Sequence, residues 1–246
     1  MQKFGLIGFP LSHSFSKGYF TEKFKREGIE ASYDNYPIEQ IGLLRGVVSG
    51  TPGLCGLNVT IPYKEQVLNY LDELDEEASL IGAVNTIVIL PDARLKGFNT
   101  DAFGFENSLK PLLKENRGQA LILGSGGASR AVRYVLEKLG INYLMASRNP
   151  SGELAVSYDR IGSVLAECRL VVNTTPLGMY PQVESCPDIP YHLLGKDHLL
   201  FDLIYNPAET LFMKKGKKQG ASTCNGLTML ELQAERAWKI WNNSNS

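Results

Sequence analysis

Short apolar runs alternate with longer amphipathic segments along the whole chain, and this pattern predicts its secondary structure. In the first half, strands are predicted at residues 3–7, 33–36, 56–60, 84–90 and 94–98. Helices are predicted at residues 17–27, 38–48, 62–70, 73–81 and 101–115. Ser16 is a suitable N-cap for the first of these helices, and Pro62 suits the first turn of the third. Alternating strands and helices are typical of an α/β protein with parallel sheets covered on both faces.

The same alternation starts again after the polar, turn-like stretch "ENRGQ", so we expect a domain boundary near residues 102–117. Strands of the second half are predicted at residues 120–123, 142–146, 170–172 and 198–203. Its helices are predicted at residues 128–139, 158–167, 208–218 and 228–241. A chain of 246 residues can form one large α/β domain or two of ordinary size, and the repeated rhythm favours two.

The stretch "LILGSGGASRA" predicts a nucleotide-binding loop, because a strand leads through Gly124, Gly126 and Gly127 directly into a helix. Glycines let the backbone turn tightly and approach a pyrophosphate, whose charge is stabilised at a helix N-terminus. The third position of the usual glycine pattern is occupied by Ser129. A turn with a purely structural role is the alternative interpretation.

The end of the next predicted strand, "ASRNP", indicates which nucleotide would bind. NAD sites usually carry an acidic residue there for the ribose 2′-hydroxyl, but this chain has no carboxylate before Glu153. Arg148 suits a 2′-phosphate at that position, which favours NADP. The alternative is that Arg148 is an ordinary surface arginine.

Two polar residues of the first hundred or so stand at predicted helix starts, where open α/β sheets hold their ligands. Lys64 follows "NVTIP", and Asp101 follows "GFNT". Hydride transfer to or from an alcohol carbon requires a proton to join or leave the oxygen, and a lysine paired with a carboxylate can manage that proton. By spacing alone, the two residues could equally be solvated surface groups.

Composition excludes several other classes of protein. The apolar fraction is 43% and the formal net charge is −1, so neither nucleic acid nor a membrane surface is an expected partner. No apolar run is long enough for a transmembrane helix, and one lysine with a very short apolar run at the N-terminus is not typical of a signal peptide, so we expect neither. Four scattered cysteines and three histidines show no metal-ligand spacing, so we expect no metal site and a cytoplasmic location with reduced thiols.

Eight motifs in order make the chain resemble the shikimate dehydrogenase (shikimate 5-dehydrogenase, NADP-dependent) family over essentially its whole length. They are "GFPLSHSFSK", "NVTIPYKE", "IGAVNT", "GFNTDAFG", "GSGGASRA", "NTTPLGMYP", "DLIYNPAETLF" and "NGLTMLELQA". The resemblance implies an oxidoreductase that interconverts 3-dehydroshikimate and shikimate with NADP, in aromatic amino acid biosynthesis. It also implies an N-terminal α/β substrate domain at residues 1–102 and a Rossmann-like domain at 103–226. The C-terminal helix, 227–246, would return to the substrate domain.

The resemblance further implies a role for each matching residue. Lys64 and Asp101 would be the catalytic pair at the oxidised hydroxyl. The substrate carboxylate would be bound by Ser12 and Ser14 with Tyr205 nearby, and the ring hydroxyls by Thr60, Asn85 and Gln233. The cofactor would be contacted by Gly124, Gly126, Gly127, Ala128, Ser147, Arg148, Thr174, Gly226 and Met229. We expect a monomer or a homodimer.

Three departures from the family pattern qualify this assignment. Lys17 stands where the family usually has a proline, and Phe20 stands where histidine is common. Arg148 has no second basic residue near it before Arg160, which weakens the case for strict NADP preference. Two alternatives therefore remain at the level of sequence: a quinate/shikimate dehydrogenase that uses NAD, and a non-catalytic nucleotide sensor on the same fold.

Overall fold

The computed structural model describes residues 1–11, 14–113 and 118–243. They form two compact units. Unit 1 comprises Met1–Thr100 and Gln233–Ser246, and unit 2 comprises Asp101–Leu232. The sequence-based boundaries after residues 102 and 226 differ from these limits by two and six residues, respectively.

Unit 1 contains a mixed six-stranded sheet with the order β2-β1-β3-β5-β6-β4. Its strands are β1 (Gln2–Gly8), β2 (Ala31–Pro37), β3 (Leu54–Val59), β4 (Glu73–Leu74), β5 (Thr86–Ile89) and β6 (Leu95–Phe98). Strand β1 is parallel to β2 and β3, whereas β5 is antiparallel to β3 and β6. The expectation of purely parallel sheets is therefore wrong here. The cause is the short connection between β5 and β6, closed by the hydrogen bond from Leu90 N to Arg94 O (2.8 Å), because a tight turn can only join antiparallel strands.

Two further predictions, both about helices of unit 1, are wrong. Helix α1 (Phe15–Glu27) is capped by Ser14 and not by Ser16. Residues 62–70 form no α-helix, and only a 3₁₀ segment is present, at Gln66–Tyr70. Buried Tyr63 donates its hydroxyl to Ile38 O (2.6 Å), so a tertiary contact determines the shape of the turn that Pro62 was expected to begin. Helices α2 (Leu44–Gly50) and α3 (Glu76–Ile81) follow.

An aromatic cluster fills one side of the unit 1 sheet. Phe4 stacks on Trp241 with ring centroids 4.8 Å apart, and Phe20 stacks on Tyr33 at 4.7 Å. Trp241 lies near the end of the C-terminal helix and donates its indole N–H to Ile87 O (3.0 Å). A side chain at Gly56 would overlap the Trp241 ring, so this strand position requires glycine. Phe20, at the position where histidine is common in the family, is fully buried in this cluster.

Unit 2 contains a wholly parallel six-stranded sheet with the order β12-β11-β10-β7-β8-β9. Its strands are β7 (Gln119–Leu123), β8 (Tyr143–Ala146), β9 (Ala155–Val156), β10 (Cys168–Asn173), β11 (Leu199–Asp202) and β12 (Ser222–Cys224). The chain moves from β7 outwards to β8 and β9, then returns to β10 on the other side of β7. The carboxyl ends of β7 and β10 thus flank a topological switch point, the position where open α/β sheets bind ligands.

The helices of unit 2 are α4 (Asp101–Leu109), α5 (Gly127–Lys138) and α6 (Leu211–Lys218), and α7 (Leu227–Asn243) continues into unit 1. The helix predicted at residues 158–167 is wrong: the segment forms two 3₁₀ turns, Tyr158–Ser163 and Leu165–Glu167. Val164, with φ −118°, lies between the two turns and interrupts the pattern of helical hydrogen bonds. Within the described ranges, no helix is both long and apolar enough to cross a membrane.

Candidate active site

A buried amide organises the polar side chains of unit 1. Asn85, which immediately precedes β5, is 2% exposed. Its Nδ2 donates to Gln233 Oε1 (2.8 Å) and to Thr100 Oγ1 (3.0 Å), and its Oδ1 accepts from Thr100 N (2.7 Å). Asn85 and Gln233 were both predicted to bind ring hydroxyls, and the structure brings them into direct contact.

Asn58, at the end of β3, belongs to the same network and was missed by the sequence reasoning. It accepts from the Tyr33 hydroxyl (2.8 Å) and donates to Asn85 O (3.2 Å) and Thr86 Oγ1 (3.1 Å). Burial raises the pKa of Tyr33 far above its usual value, against the opposing effect of a hydrogen bond with Ser16, so the phenol stays neutral. An asparagine inside the otherwise apolar run before "VTIP" was the available signal, because buried amides need partners.

Lys64 lies in the turn that follows β3, and backbone hydrogen bonds hold this turn on both sides. Thr60 N donates to Ile7 O (2.9 Å), and Lys64 O accepts from Val84 N (2.8 Å). Both Thr60 and Lys64 are half-buried. The turn is therefore fixed to the strands of unit 1 before any ligand arrives.

Asp101 is the first residue of α4 and is 3% exposed. The residue before it, Thr100, is held through its backbone N–H by Asn85 Oδ1. Lys64 belongs to unit 1 and Asp101 to unit 2. The helix dipole interacts favourably with a carboxylate in the first turn of a helix.

Of the serine motif, Ser12 and His13 lie outside the described residues. Ser14 Oγ accepts from Lys17 N (3.2 Å) and so caps α1. Lys17 Nζ lies 3.1 Å from Asp34 Oδ1, and both side chains are about half exposed. The lysine at the family's proline position thus forms a surface ion pair with β2, a contact that contributes about 0.2–1 kcal/mol at most.

The glycine-rich turn of unit 2 has the geometry of a phosphate cradle. Gly124 has φ 108°, and a Cβ there would lie 2.8 Å from Thr174 Oγ1. Gly126 is the N-cap of α5, and a Cβ there would meet nothing within 4 Å. The first N–H groups of a helix, here those of Gly127 and Ala128, have no partner inside the helix. Open space beside Gly126, next to the first N–H groups of α5, fits a pyrophosphate.

Ser129 explains the departure from the usual glycine pattern. Its side chain is buried, and its hydroxyl donates to Gly126 O (2.7 Å). The serine thus closes the turn from inside and leaves the outer face of the loop unchanged. The departure does not weaken the fit of the loop to a nucleotide.

At the end of β8, Ser147 Oγ accepts from Asn149 N (3.2 Å), which shapes the loop that carries Arg148. Arg148 is exposed. Burial raises the pKa of Tyr158, and the positive charge of Arg148 opposes this rise. An exposed guanidinium can form bidentate hydrogen bonds to a phosphate.

The remaining predicted site residues of unit 2 follow β10 (Thr174), β11 (Tyr205) and β12 (Gly226 and Met229). Thr174 Oγ1 donates to Leu123 O (2.8 Å), and half-buried Tyr205 has its pKa raised by burial. Gly226 N donates to Ile204 O (3.0 Å), and a side chain at Gly226 would overlap the carbonyl of Leu203. Met229 is buried in the first turn of α7. Gly226 is therefore a position of close backbone approach.

A second buried polar cluster in unit 2 was also missed by the sequence reasoning. Asp202, fully buried at the end of β11, accepts from Asn173 Nδ2 (3.0 Å), Ile204 N (3.1 Å) and Thr210 Oγ1 (2.6 Å). No group of three or more potential metal ligands occurs within residues 1–11, 14–113 and 118–243.

Comparison with known proteins gives one consistent result. The profile described as "Shikimate dehydrogenase substrate binding domain" matches residues 6–87. The shikimate dehydrogenase (NADP(+)) of Caldanaerobacter subterraneus is 39% identical over 256 residues, covering 97% of this chain and 90% of that protein.

Solved structures agree with that result. Shikimate 5-dehydrogenase from Thermus thermophilus, in complex with NADP(H) and shikimate, gives a TM-score of 0.87 at 33% identity, covering 99% of this chain and 94% of that one. Quinate dehydrogenase from Corynebacterium glutamicum, in complex with NAD, gives a TM-score of 0.86 at 29% identity, covering 98% of this chain and 94% of that one. The similarity in sequence extends over almost the entire length, and the chain belongs to the shikimate dehydrogenase family.

Proposed function

We propose that the protein catalyses the reversible, NADP-dependent reduction of 3-dehydroshikimate to shikimate. The observation that carries this proposal is the 39% identity to a shikimate dehydrogenase (NADP(+)) over 97% of the chain. The direct contact between Asn85 and Gln233 supports it, because the hydrogen bond to Gln233 Oε1 orients an amide whose Nε2 group can donate to a polyhydroxylated ring.

The ring hydroxyls of the substrate are bound by side chains of unit 1. Asn85, Gln233 and Thr60 hydrogen-bond the ring hydroxyls. Ser12, Ser14 and Tyr205 bind the carboxylate, with Ser14 at the N-terminus of α1, where the helix dipole favours an anion.

Lys64 and Asp101 manage the proton of the reacting oxygen. NADPH, when bound, supplies the hydride to the ring carbonyl carbon. Lys64 donates the proton to the carbonyl oxygen, so that the C=O bond becomes an alcohol, and Asp101 orients the ammonium and shares the proton. In the oxidative direction the same pair accepts the hydroxyl proton.

The cofactor binds at the carboxyl end of the unit 2 sheet. Its pyrophosphate is held by the backbone of Gly124, Gly126, Gly127 and Ala128. Ser147 and Arg148 bind the 2′-phosphate, Thr174 lies along the cofactor, and Gly226 and Met229 flank the nicotinamide. The open space at Gly126 in front of the α5 N-terminus is the feature that supports this binding mode.

A second candidate, a quinate/shikimate dehydrogenase that uses NAD, is favoured by the single basic residue at the 2′-phosphate position. Arg148 has no second base beside it in "SRNP". Initial rates with shikimate and with quinate, each with NADP and with NAD, decide between the two. A higher kcat/KM with NAD, or with quinate, would overturn the first proposal. NADP binding without any turnover would instead indicate the nucleotide sensor.

The protein is proposed to act in the cytoplasm as a monomer or homodimer, with no nucleic acid or membrane partner. Free thiols are compatible with a reducing compartment, and the structure has four of them: Cys55, Cys168, Cys186 and Cys224. Sedimentation of the purified protein gives the oligomeric state directly.

Lys64→Ala tests the catalytic assignment. We expect kcat for shikimate oxidation to fall about 10²–10⁴-fold, the usual contribution of a positioned acid or base, with KM closer to that of the wild type. Lys17→Ala is the matched control, because it removes a lysine of unit 1 that only forms a surface ion pair. An unchanged kcat for Lys64→Ala contradicts the assignment.

Ser14→Ala tests the carboxylate site. We expect mainly a higher KM for shikimate, because a hydroxyl at the anion site is lost. Loss of the α1 cap also lowers the unfolding free energy by about 0.5–2 kcal/mol. Thermal unfolding of the same sample separates the two effects. Wild-type affinity for shikimate in the variant would argue against carboxylate binding by Ser14.

A further inference from the structure

The buried carboxylate of Asp202 connects three loops that carry predicted site residues. Through Asn173 it reaches the loop after β10, because Asn173 Oδ1 accepts from Thr175 N (3.0 Å) and Thr175 Oγ1 (2.6 Å). Thr174, predicted to contact the cofactor, lies between Asn173 and Thr175 in the chain, so this contact holds its backbone on both sides.

The second loop follows β11. Asp202 Oδ1 accepts from Ile204 N (3.1 Å), and Leu203 N donates to Asn173 O (3.1 Å). Tyr205, predicted to contact the substrate carboxylate, comes next in the chain. The hydrogen bonds of Asp202 and Asn173 therefore hold the backbone up to the residue before the tyrosine.

The third loop is attached to the second. Gly226 N donates to Ile204 O (3.0 Å), and Gly226 packs directly against the carbonyl of Leu203. Thr210 Oγ1 donates to Asp202 Oδ2 (2.6 Å) and accepts from Met213 N (3.3 Å), so the carboxylate also fixes the start of α6. One side chain thus determines the relative positions of segments far apart in sequence.

This arrangement is costly for stability. Burial raises the pKa of Asp202 to about 6, although the hydrogen bonds from Thr210, Ile204 and Asn173 act in the opposite direction. All of these donors are neutral, and an ionised carboxylate without a cationic partner is unfavourable in a protein interior. An amide or an apolar side chain would satisfy folding alone with less penalty.

We propose that Asp202 is a positioning residue for the reaction, whose carboxylate holds the loops of Thr174 and Tyr205 in register for cofactor and substrate. The inference rests on the function proposed above. The carboxylate accepts from Asn173, Ile204 and Thr210 together. In Asp202→Asn, Oδ1 can still accept from Asn173 and Ile204, but the new Nδ2 group faces the Thr210 hydroxyl, which must turn from donor to acceptor, and the charge-assisted hydrogen bonds of all three donors are lost.

The test compares steady-state kinetics of the wild type with those of Asp202→Asn at pH 8. We expect KM for both NADP and shikimate to rise about tenfold, which corresponds to about 1.4 kcal/mol, one hydrogen bond to a charged group. The midpoint of thermal unfolding should fall little, because a buried charge is removed. KM values within twofold of the wild type, for both ligands, would overturn the proposal.

Two further variants keep the test decisive. Glu106→Gln is the matched control, since Glu106 is a buried carboxylate of unit 2 that pairs with Lys110 and Lys138 and with none of the residues bonded to Asp202. It should lower stability and leave both KM values unchanged. Thr175→Val removes a half-buried hydroxyl from the first loop only, so KM for NADP should rise and KM for shikimate should not. A rise in KM for Glu106→Gln as large as for Asp202→Asn would also overturn the proposal.

The dissociation constant for NADP, measured by fluorescence titration without turnover, separates this inference from the proposed function. If the wild type binds NADP but does not oxidise shikimate, the proposed function fails. A weaker NADP affinity of Asp202→Asn would still support the positioning role on the cofactor side, and equal affinities would refute it.

Discussion

The ionisation of Asp202 predicts how the stability of unit 2 changes with pH. The pKa of the folded state is about 6, against 3.8 for an unperturbed aspartate, because burial disfavours the charged form. The folded protein therefore binds more protons than the unfolded chain between these values. The sign follows: the stabilising contribution is complete below about pH 4 and is lost as the pH rises through about 6.

The magnitude follows from the same two values. A shift of about two pKa units corresponds to about 3 kcal/mol over the full range, at about 1.4 kcal/mol per unit. Between about pH 5 and pH 8 the part that remains to be lost is about 1.4 kcal/mol. The wild type should therefore lose about 1.4 kcal/mol relative to Asp202→Asn over this interval, whatever constant difference the substitution itself introduces.

Urea unfolding at the two pH values measures this difference. Far-ultraviolet circular dichroism is the appropriate signal, because both tryptophans, Trp238 and Trp241, belong to unit 1 and do not report on unit 2. A difference between the two proteins that stays constant from pH 5 to pH 8, or that changes with the opposite sign, would refute the reasoning.

Glu106→Gln serves as the control for this experiment too. Burial alone would raise the pKa of Glu106, but hydrogen bonds from Lys110 and Lys138 outweigh it and lower that pKa. A carboxylate with a lowered pKa loses its stabilising effect only as the pH falls through the folded-state value, so its contribution should not change between pH 5 and pH 8.

Three other substitutions have defined expected outcomes. Arg148→Ala should raise KM for NADP about tenfold, the cost of a lost charge-assisted hydrogen bond at an exposed site, and leave KM for NAD unchanged; equal effects on both cofactors would contradict the 2′-phosphate role. Gly56→Ala should lower the unfolding free energy by about 1–3 kcal/mol, because the added methyl group overlaps Trp241, and tryptophan fluorescence during urea unfolding measures it. Tyr33→Phe should cost about 1–3 kcal/mol by leaving the buried oxygen of Asn58 without its donor, and unchanged stability would show that this oxygen finds another partner.

Local secondary structure could be predicted from the sequence. The strand, glycine turn and helix around Gly124 follow from residues that are neighbours in the chain, and the structure has a strand, a turn with φ 108° and a helix there. The α/β class and the two sheets follow from the periodicity of apolar residues. Both depend only on short-range pattern.

Features that depend on tertiary contacts could not be predicted. Tyr63 prevents the helix expected after Pro62 through a contact with Ile38, which is 25 residues away. The antiparallel pairing of β5 with β3 joins strands that are far apart in the chain, and no local signal specifies it. The aspartate of the buried cluster in unit 2 looked like an ordinary strand end, because its partners Asn173 and Thr210 come together only in the folded sheet.

The candidate site also combines features that the sequence could predict with features that depend on tertiary contacts. The contact between Asn85 and Gln233 joins residues 148 positions apart, and only the family resemblance pointed to both. Ser14 was expected at the substrate and also proves to be the cap of α1, a role that sequence reasoning gave to Ser16. The cap depends on Ser14 having extended backbone angles, φ −127° and ψ 114°, which residue type alone does not specify.

Helix α7 also determines the order in which the nascent chain can finish folding. Trp241 fills the aromatic cluster of unit 1, yet the ribosome makes it after all of unit 2, Asp101–Leu232. At about 5–20 residues per second, Phe4 and Phe20 wait roughly 11–47 s for the ring that packs against them. Unit 2 is contiguous and can be completed during this interval. A premature stop after Leu232 but before Trp241 would therefore leave unit 2 whole and unit 1 without a complete core.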